Sequence, residues 1–284
     1  MSSFAILALA AGLIAAAVPT RGSRAHRLSL AMVTALLVLA IGWLWPEGAT
    51  SAPKAAKEAA DAAGESPSNI LNVLIALPIT GAIALLFIPR QMLSLVRGFT
   101  YAIFGATFLV SLWLLCEPMT DGWHFQYITD WIPMAGIRYH VALDGISVWL
   151  VVLTTFTTPI AAFASYGSID KRIKELSIAF LFLQGAMIGT FVALDLFLFY
   201  VFWELMLIPM FLLIGIWGGA ERRMAAMKFF IYTMAGSVLM LAAMLYMVWT
   251  HHALNGFWTF DYLALCQVVL PGVPGDLFSP QALC

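Results

Sequence analysis

DLFLFYVFWELMLIPM, residues 195–210, sets one acid, Glu204, inside an otherwise apolar run. Extended from Leu196 to Trp217, the run is long enough to cross a hydrocarbon core of roughly 30 Å as a helix rising about 1.5 Å per residue. Glu204 then sits near mid-membrane. A carboxylate at that depth costs about 2.5–3.5 kcal/mol on insertion scales, so it is expected to face protein or water rather than lipid. Five residues on, Pro209 has no amide hydrogen to give to the carbonyl of Leu205, which leaves a bare acceptor on the same helix, a place for a water. Together they make a position where a carboxyl can take up and release a proton.

The rest of the composition agrees with a chain built for lipid. Of its 284 residues 62% are hydrophobic and 10% charged, and the mean hydropathy is +0.94, which excludes an ordinary soluble domain. A net charge of -1, from 14 basic and 15 acidic residues, offers no polycationic face for nucleic acid. Cys116, Cys266 and Cys284 lack the close spacing of a zinc or iron–sulfur site and read as free thiols. No Gly-rich phosphate loop or CxxC pair occurs, so no nucleotide or redox cofactor is expected on this chain. His251 and His252 read as a loop pair rather than ligands.

Eight apolar segments follow in order, at Phe4–Val18, Leu28–Trp45, Ile70–Ile88, Met92–Cys116, Val141–Tyr166, Leu176–Leu194, Leu196–Trp217 and Phe229–Trp249. They predict an all-α polytopic transmembrane helix bundle of about eight spans. The first segment has no basic n-region before it, which favours a retained helix over a cleaved leader. Residues 46–69 are rich in Ala with Lys, Glu, Asp, Ser and Pro and read as a polar linker. Four regions result: 1–45 with two spans, the linker 46–69, a six-helix membrane region 70–250, and a polar, amphipathic tail 251–284.

Bases gather in alternate loops. Arg21, Arg24 and Arg27 share one; Arg90 and Arg97 another; Lys171, Arg172 and Lys174 a third; Arg222 and Arg223, with Lys228, a fourth. By the positive-inside rule these loops are cytoplasmic, so both ends of the chain are predicted outside, in a bacterial inner membrane. Trp123, Tyr127, Trp131 and Tyr139 then lie at the outer interface, where amphipathic aromatics settle. Gly185 and Gly189, and the patch Ala235, Gly236 and Ser237, predict close helix packing.

Beyond Glu204, the chemistry-bearing candidates are few. Lys228 opens the last span and is either a snorkelling headgroup contact or a proton carrier. Thirteen residues separate Glu204 from Trp217, about 20 Å of helix, so waters or further residues must bridge the two. Tyr232, Gln184 and Thr190 could hold such waters but are also common packing residues. Asp144, before Gly145 at the opening of a span, reads first as a helix N-cap.

The blocks VALDLFLFYVFWELMLIPMFLLIGIWGG and ERRMAAMKFFIYTMAGSVLMLAA, with HVALDGISVWLVVLTTF and GFWTFDY, closely resemble the antiporter-like M (chain 4) membrane subunit of respiratory complex I, the proton-pumping NADH:quinone oxidoreductase. The resemblance runs from about Asn69 to Tyr262. It implies that Glu204, the acid of the WE pair, belongs to a membrane-embedded proton pathway, that Lys228 is the lysine of the KFFIYT block, and that Asp144 is the acid of the LDG block. It also implies that NADH, FMN, iron–sulfur clusters and quinone belong to partner subunits, and that the other membrane subunits of the complex are this chain's partners. Family members have about fourteen helices in two inverted repeats, of which this sequence resembles the amino-terminal portion; residues 1–68 lie outside the resemblance. Alternative readings are a cation/proton antiporter or membrane-bound hydrogenase subunit, and a non-conducting structural or assembly fragment.

Overall fold

The computed structural model describes residues 68–117 and 122–266. The two spans predicted within 1–45, the linker as far as residue 67, and the tail beyond residue 266 lie outside the described residues. Among the described residues, six helices are long and apolar enough to cross a membrane: α1 (Ile70–Phe87), α2 (Leu93–Leu114), α3 (Ser147–Ser168), α4 (Ile173–Val192), α5 (Leu196–Trp217) and α6 (Arg222–Asn255). A four-residue helix, α7 (Tyr262–Leu265), follows. The all-α polytopic reading stands, with one addition: between α2 and α3 an antiparallel hairpin joins β1 (His124–Ile132) to β2 (Ile137–Leu143).

The helix boundaries differ from the apolar runs where polar chemistry intervenes. The fifth run was expected to be helical from Val141, but Val141, Ala142 and Leu143 are strand, fully or almost fully buried. The helix opens at Ser147, whose amide donates to Asp144 Oδ1 at 2.7 Å, so Asp144 caps it from just outside. Burial pushes the Asp144 carboxyl up, and the hydrogen bonds from Ser147 and its neighbours outweigh that, leaving it below the ordinary carboxylate value. At its other extreme, α6 runs past Trp249 through His251 and His252 and stops at Gly256, φ +81, a left-handed C-terminal residue of the kind glycine supplies. The two histidines are therefore helical, not a loop pair. His252 stacks on Trp258 at 4.0 Å between centroids, and His251 meets Phe257 edge-on at 4.9 Å.

The chain divides into two compact units. Among the described residues, the first contains 72–117, 122 and 144–188. Its core gathers Leu85, Val96, Phe99, Phe104, Ala162 and Leu181 from α1, α2, α3 and α4. At Gly185 a Cβ would stand 2.5 Å from Ile79 Cγ1 and 3.2 Å from the Ile75 carbonyl, so α4 meets α1 at a distance only glycine allows. Two of the base-bearing stretches meet at one end of this unit: Arg90 pairs with Glu175 at 2.7 Å and Lys174 Nζ donates to the Leu86 carbonyl at 2.9 Å. Ser111 and Thr155 share a buried hydrogen bond of 2.7 Å between α2 and α3.

The second unit contains, among the described residues, 68–71, 123–143 and 189–266. Its main helix pair is α5 against α6, joined by a short turn at Gly218 and antiparallel in register: Gly215 faces Ala226, and the Phe211 and Phe230 rings meet at 5.7 Å. Gly189 closes on the Phe202 ring, where a Cβ would come within 2.4 Å. The predicted small patch on α6 is less uniform: Ser237 is buried, whereas Gly236 faces open space. Among its apolar contacts, Ile137, Val248, Phe260 and Leu265 cluster with Leu196 and Phe197. The hairpin is thus seated on the start of α5 and the end of α6.

Candidate functional site

Glu204 lies eight residues into α5, on a helix whose apolar residues suit lipid and whose acid demands a polar neighbour. One turn earlier, Tyr200 supplies it. The Tyr200 hydroxyl reaches both the Glu204 carboxylate and the Ser237 hydroxyl of α6, and Ser237 Oγ in turn donates to the Met234 carbonyl at 3.0 Å. Glu204 Oε1 is buried and has no hydrogen-bond partner among the described residues. A buried, unsatisfied carboxyl oxygen on a spanning helix leaves room for a proton or a water to complete it. Pro209 is likewise buried within α5.

Lys228 is not brought to this acid. The α5–α6 register sets Glu204 level with Ser237, and Lys228 precedes Ser237 by nine residues, roughly 14 Å along the helix axis. Lys228 is exposed on the first turns of α6 and Tyr232 is 74% exposed. Gln184 is fully buried on α4 with both amide atoms unpartnered among the described residues, and Thr190 is buried on the same helix. Cys116 and Cys266 are free and exposed; Cys284 lies outside the described residues. Among the described residues no cluster of three or more His, Cys, Asp or Glu could hold a metal.

A second polar cluster, which the apolar runs gave no reason to seek, sits at the amino-terminal end of α5. Asp195, fully buried, accepts at Oδ1 from the amides of Phe197 (3.0 Å) and Leu198 (3.1 Å) and at Oδ2 from the amide of Arg138 (3.0 Å). Burial pushes this carboxyl above the ordinary range, against those hydrogen bonds, and the charge of Asp261 adds to the rise. His140 on β2 is 1% exposed, and its Nδ1 lies 2.9 Å from Asp261 Oδ2. The Asp261 carboxyl is raised by burial but ends below its usual value because His140's hydrogen bond and charge outweigh it. Backbone bonds stitch the same place: Leu194 N to the His140 carbonyl, Leu196 N to Phe260, and Tyr262 N to Leu194, each at 2.9 Å. The signal available in the sequence was Asp195 itself, a capping residue immediately before an apolar run.

The spanning helices define the class: an all-α polytopic membrane fold. Residues 193–271 match the family described as NADH:quinone oxidoreductase/Mrp antiporter, TM. The chain is similar to NADH-quinone oxidoreductase subunit M of Rhodobacter capsulatus, 48% identical over 185 residues, covering 63% of this chain and 36% of that protein. It is 42% identical over 179 residues to NADH-ubiquinone oxidoreductase chain 4 of Marchantia polymorpha, again 36% of the relative. In structure it resembles a chain of respiratory complex I from Thermus thermophilus, with a TM-score of 0.59 and 28% identity over 71% of this chain and 40% of that one. A chain of an archaeal membrane-bound sulfane sulfur reductase shares the fold at a TM-score of 0.54 and 20% identity, covering 68% of this chain and 29% of that one. The chain thus spans little more than a third of the length of these curated relatives.

Proposed function

We propose that the chain is part of the proton-translocating membrane arm of an NADH:quinone oxidoreductase, with Glu204 as the buried proton acceptor and Lys228 as a secondary relay. NADH oxidation and quinone reduction, with FMN and iron–sulfur clusters, fall to partner subunits, and other membrane subunits of the complex flank this one. The observation that carries the reading is Glu204 itself: an acid on a spanning helix, one oxygen unsatisfied and the carboxylate in reach of the Tyr200 hydroxyl, within the region that matches the family. Lys228 acts at a distance, through intervening groups, because the helix register separates it from the acid. Exchange of Glu204 for Gln preserves size and polarity but removes the titrating group. In membranes holding the assembled enzyme, protons moved per NADH are expected to fall severalfold. Unchanged pumping and quinone reduction would end the proposal.

A cation/proton antiporter subunit is the second reading, favoured by the pairing of Mrp antiporters with NADH:quinone oxidoreductases in the matched family's description. Cation-dependent proton exchange in vesicles without NADH distinguishes it.

The orientation proposed is the one with the base-bearing loops in the cytoplasm of a bacterial cell. It places the ends of α2 and α6 outside, and with them the exposed thiols of Cys116 and Cys266. In a chain with Cys284 changed to Ser, a membrane-impermeant maleimide added to intact spheroplasts should label both. Labelling that requires lysis of the spheroplasts reverses the topology.

A further inference from the structure

The His140–Asp261 pair takes no part in the path through Glu204, yet among the described residues it is a deeply buried contact between an imidazole and a carboxyl group. Three features of its geometry bear on what it can do. The imidazole is 1% exposed and is oriented by a carboxylate at Nδ1, the arrangement that fixes one ring nitrogen and leaves the other to react. That other nitrogen, Nε2, is buried and unpartnered among the described residues. Finally, the pair stands at the end of α5, eight to nine residues, or roughly 13 Å of helix, from the level of Glu204.

A structural clamp alone would not need an imidazole. The hairpin is already fastened here by Asp195 on the Arg138 amide and by the backbone bonds of Leu194, Leu196 and Tyr262. A buried nitrogen left without a partner costs about 1–3 kcal/mol where nothing completes it, so a clamp would be better served by an apolar side chain. Asp261 offers a negative charge to an imidazolium and Asp195 a second carboxyl nearby. The other titratable or charged groups on the elements packed around the ring include His124, Tyr127 and Asp130 on β1, Arg138 and Tyr139 on β2, His251 and His252 at the end of α6, and Tyr262 on α7. Arg138 is engaged with Asp130 at 3.6 Å, and the two α6 histidines rest on Phe257 and Trp258.

We propose that His140, held by Asp261, is a proton-exchange site at the hairpin end of α5, with Nε2 the atom that takes up and releases the proton. The step balances with water as co-reactant: hydronium gives a proton to the Nε2 lone pair and leaves as water, and the reverse returns it. The positive charge formed on the ring is neutralised by Asp261 across the Nδ1–H···Oδ2 hydrogen bond. This inference rests on the proton-transfer reading above and adds a second station to it.

Two variants in membranes containing the assembled enzyme test it. H140Q keeps hydrogen-bonding capacity without a basic nitrogen, and it should lower protons moved per NADH at least threefold while the complex assembles. D261N keeps an oxygen to accept from Nδ1 but removes the countercharge, and it should move the pH profile of pumping to lower pH by about one unit. A clamp held by the hydrogen bond alone predicts no change in that profile. Where H140Q fails to assemble, D261N decides. If E204Q stops pumping while H140Q and D261N leave both yield and pH profile at the wild-type values, this inference is overturned and the proton-transfer reading survives. If E204Q also changes nothing, both fall together.

Discussion

Gly136→Ala is expected to dislodge the hairpin from its seat and to lower the stability of the second unit by about 3 kcal/mol or more. Two costs add. Gly136 ends the short turn between β1 and β2 with φ +68, a left-handed conformation that costs a residue bearing a Cβ roughly 1–2 kcal/mol. The second cost is steric. An added Cβ would stand 2.1 Å from the carbonyl oxygen of Trp258 and 2.5 Å from its carbon, overlaps with main chain that no side-chain rotation relieves, and overpacking of this kind costs about 1–3 kcal/mol. The displaced backbone carries the bond from Phe260 N to the Gly136 carbonyl, 3.3 Å in the native protein, and continues directly into Asp261. Thermal denaturation in detergent micelles measures the loss. A melting curve indistinguishable from wild type would show that the segment after α6 does not press on this turn.

That turn is also where the sequence was least legible. The spans α1, α2 and α5 could be read to within two residues and α4 to within three, because a run of apolar side chains long enough to cross a membrane has few other uses. The hairpin could not. Its aromatic residues, Tyr127, Trp131 and Tyr139, suit both a membrane interface and a strand, and its alternation is blurred by residues buried on both faces from Val141 to Leu143. The same burial made Val141 look like the start of a helix. The ends of α6 were missed for a different reason: bases at its start and histidines at its end are polar, and at the far end His252 settles on Trp258 and His251 on Phe257.

The candidate site divides in the same way. Glu204 was legible because an acid in an apolar run has an energetic cost that sequence alone reveals. Its surroundings were not, since Tyr200 is read as one more aromatic and Ser237 as one more small residue until the α5–α6 register sets them beside the carboxylate. Lys228 was read as opening the last span, but α6 begins six residues earlier, at Arg222, which puts Lys228 closer to the level of Glu204 along the helix than residue counting to the membrane edge gave. The His140–Asp261 pair joins residues 121 positions apart, and no local pattern encodes such a contact.

Asp195→Ala should cost about 3 kcal/mol, because one carboxylate completes three amides. Loss of the N-cap to Phe197 and Leu198 is worth about 1 kcal/mol. The Arg138 amide, which donates to Asp195 Oδ2 at 3.0 Å, would be left part-buried without an acceptor at a further cost of about 1–3 kcal/mol. Asp195→Asn separates the two contributions. Its carbonyl oxygen still caps α5, but its amide group meets the Arg138 N–H donor to donor, so its stability should fall between wild type and alanine. The pH dependence carries a distinct sign. Burial holds the Asp195 carboxyl above its ordinary value, so its contribution is full below the unfolded value of about 3.9 and is lost as pH rises through the raised folded value. The Asn variant has no such slope, and its melting temperature in detergent should approach that of wild type as pH rises through that window. A gap between the two that widens with pH would mean that the hydrogen bonds to Asp195 outweigh its burial.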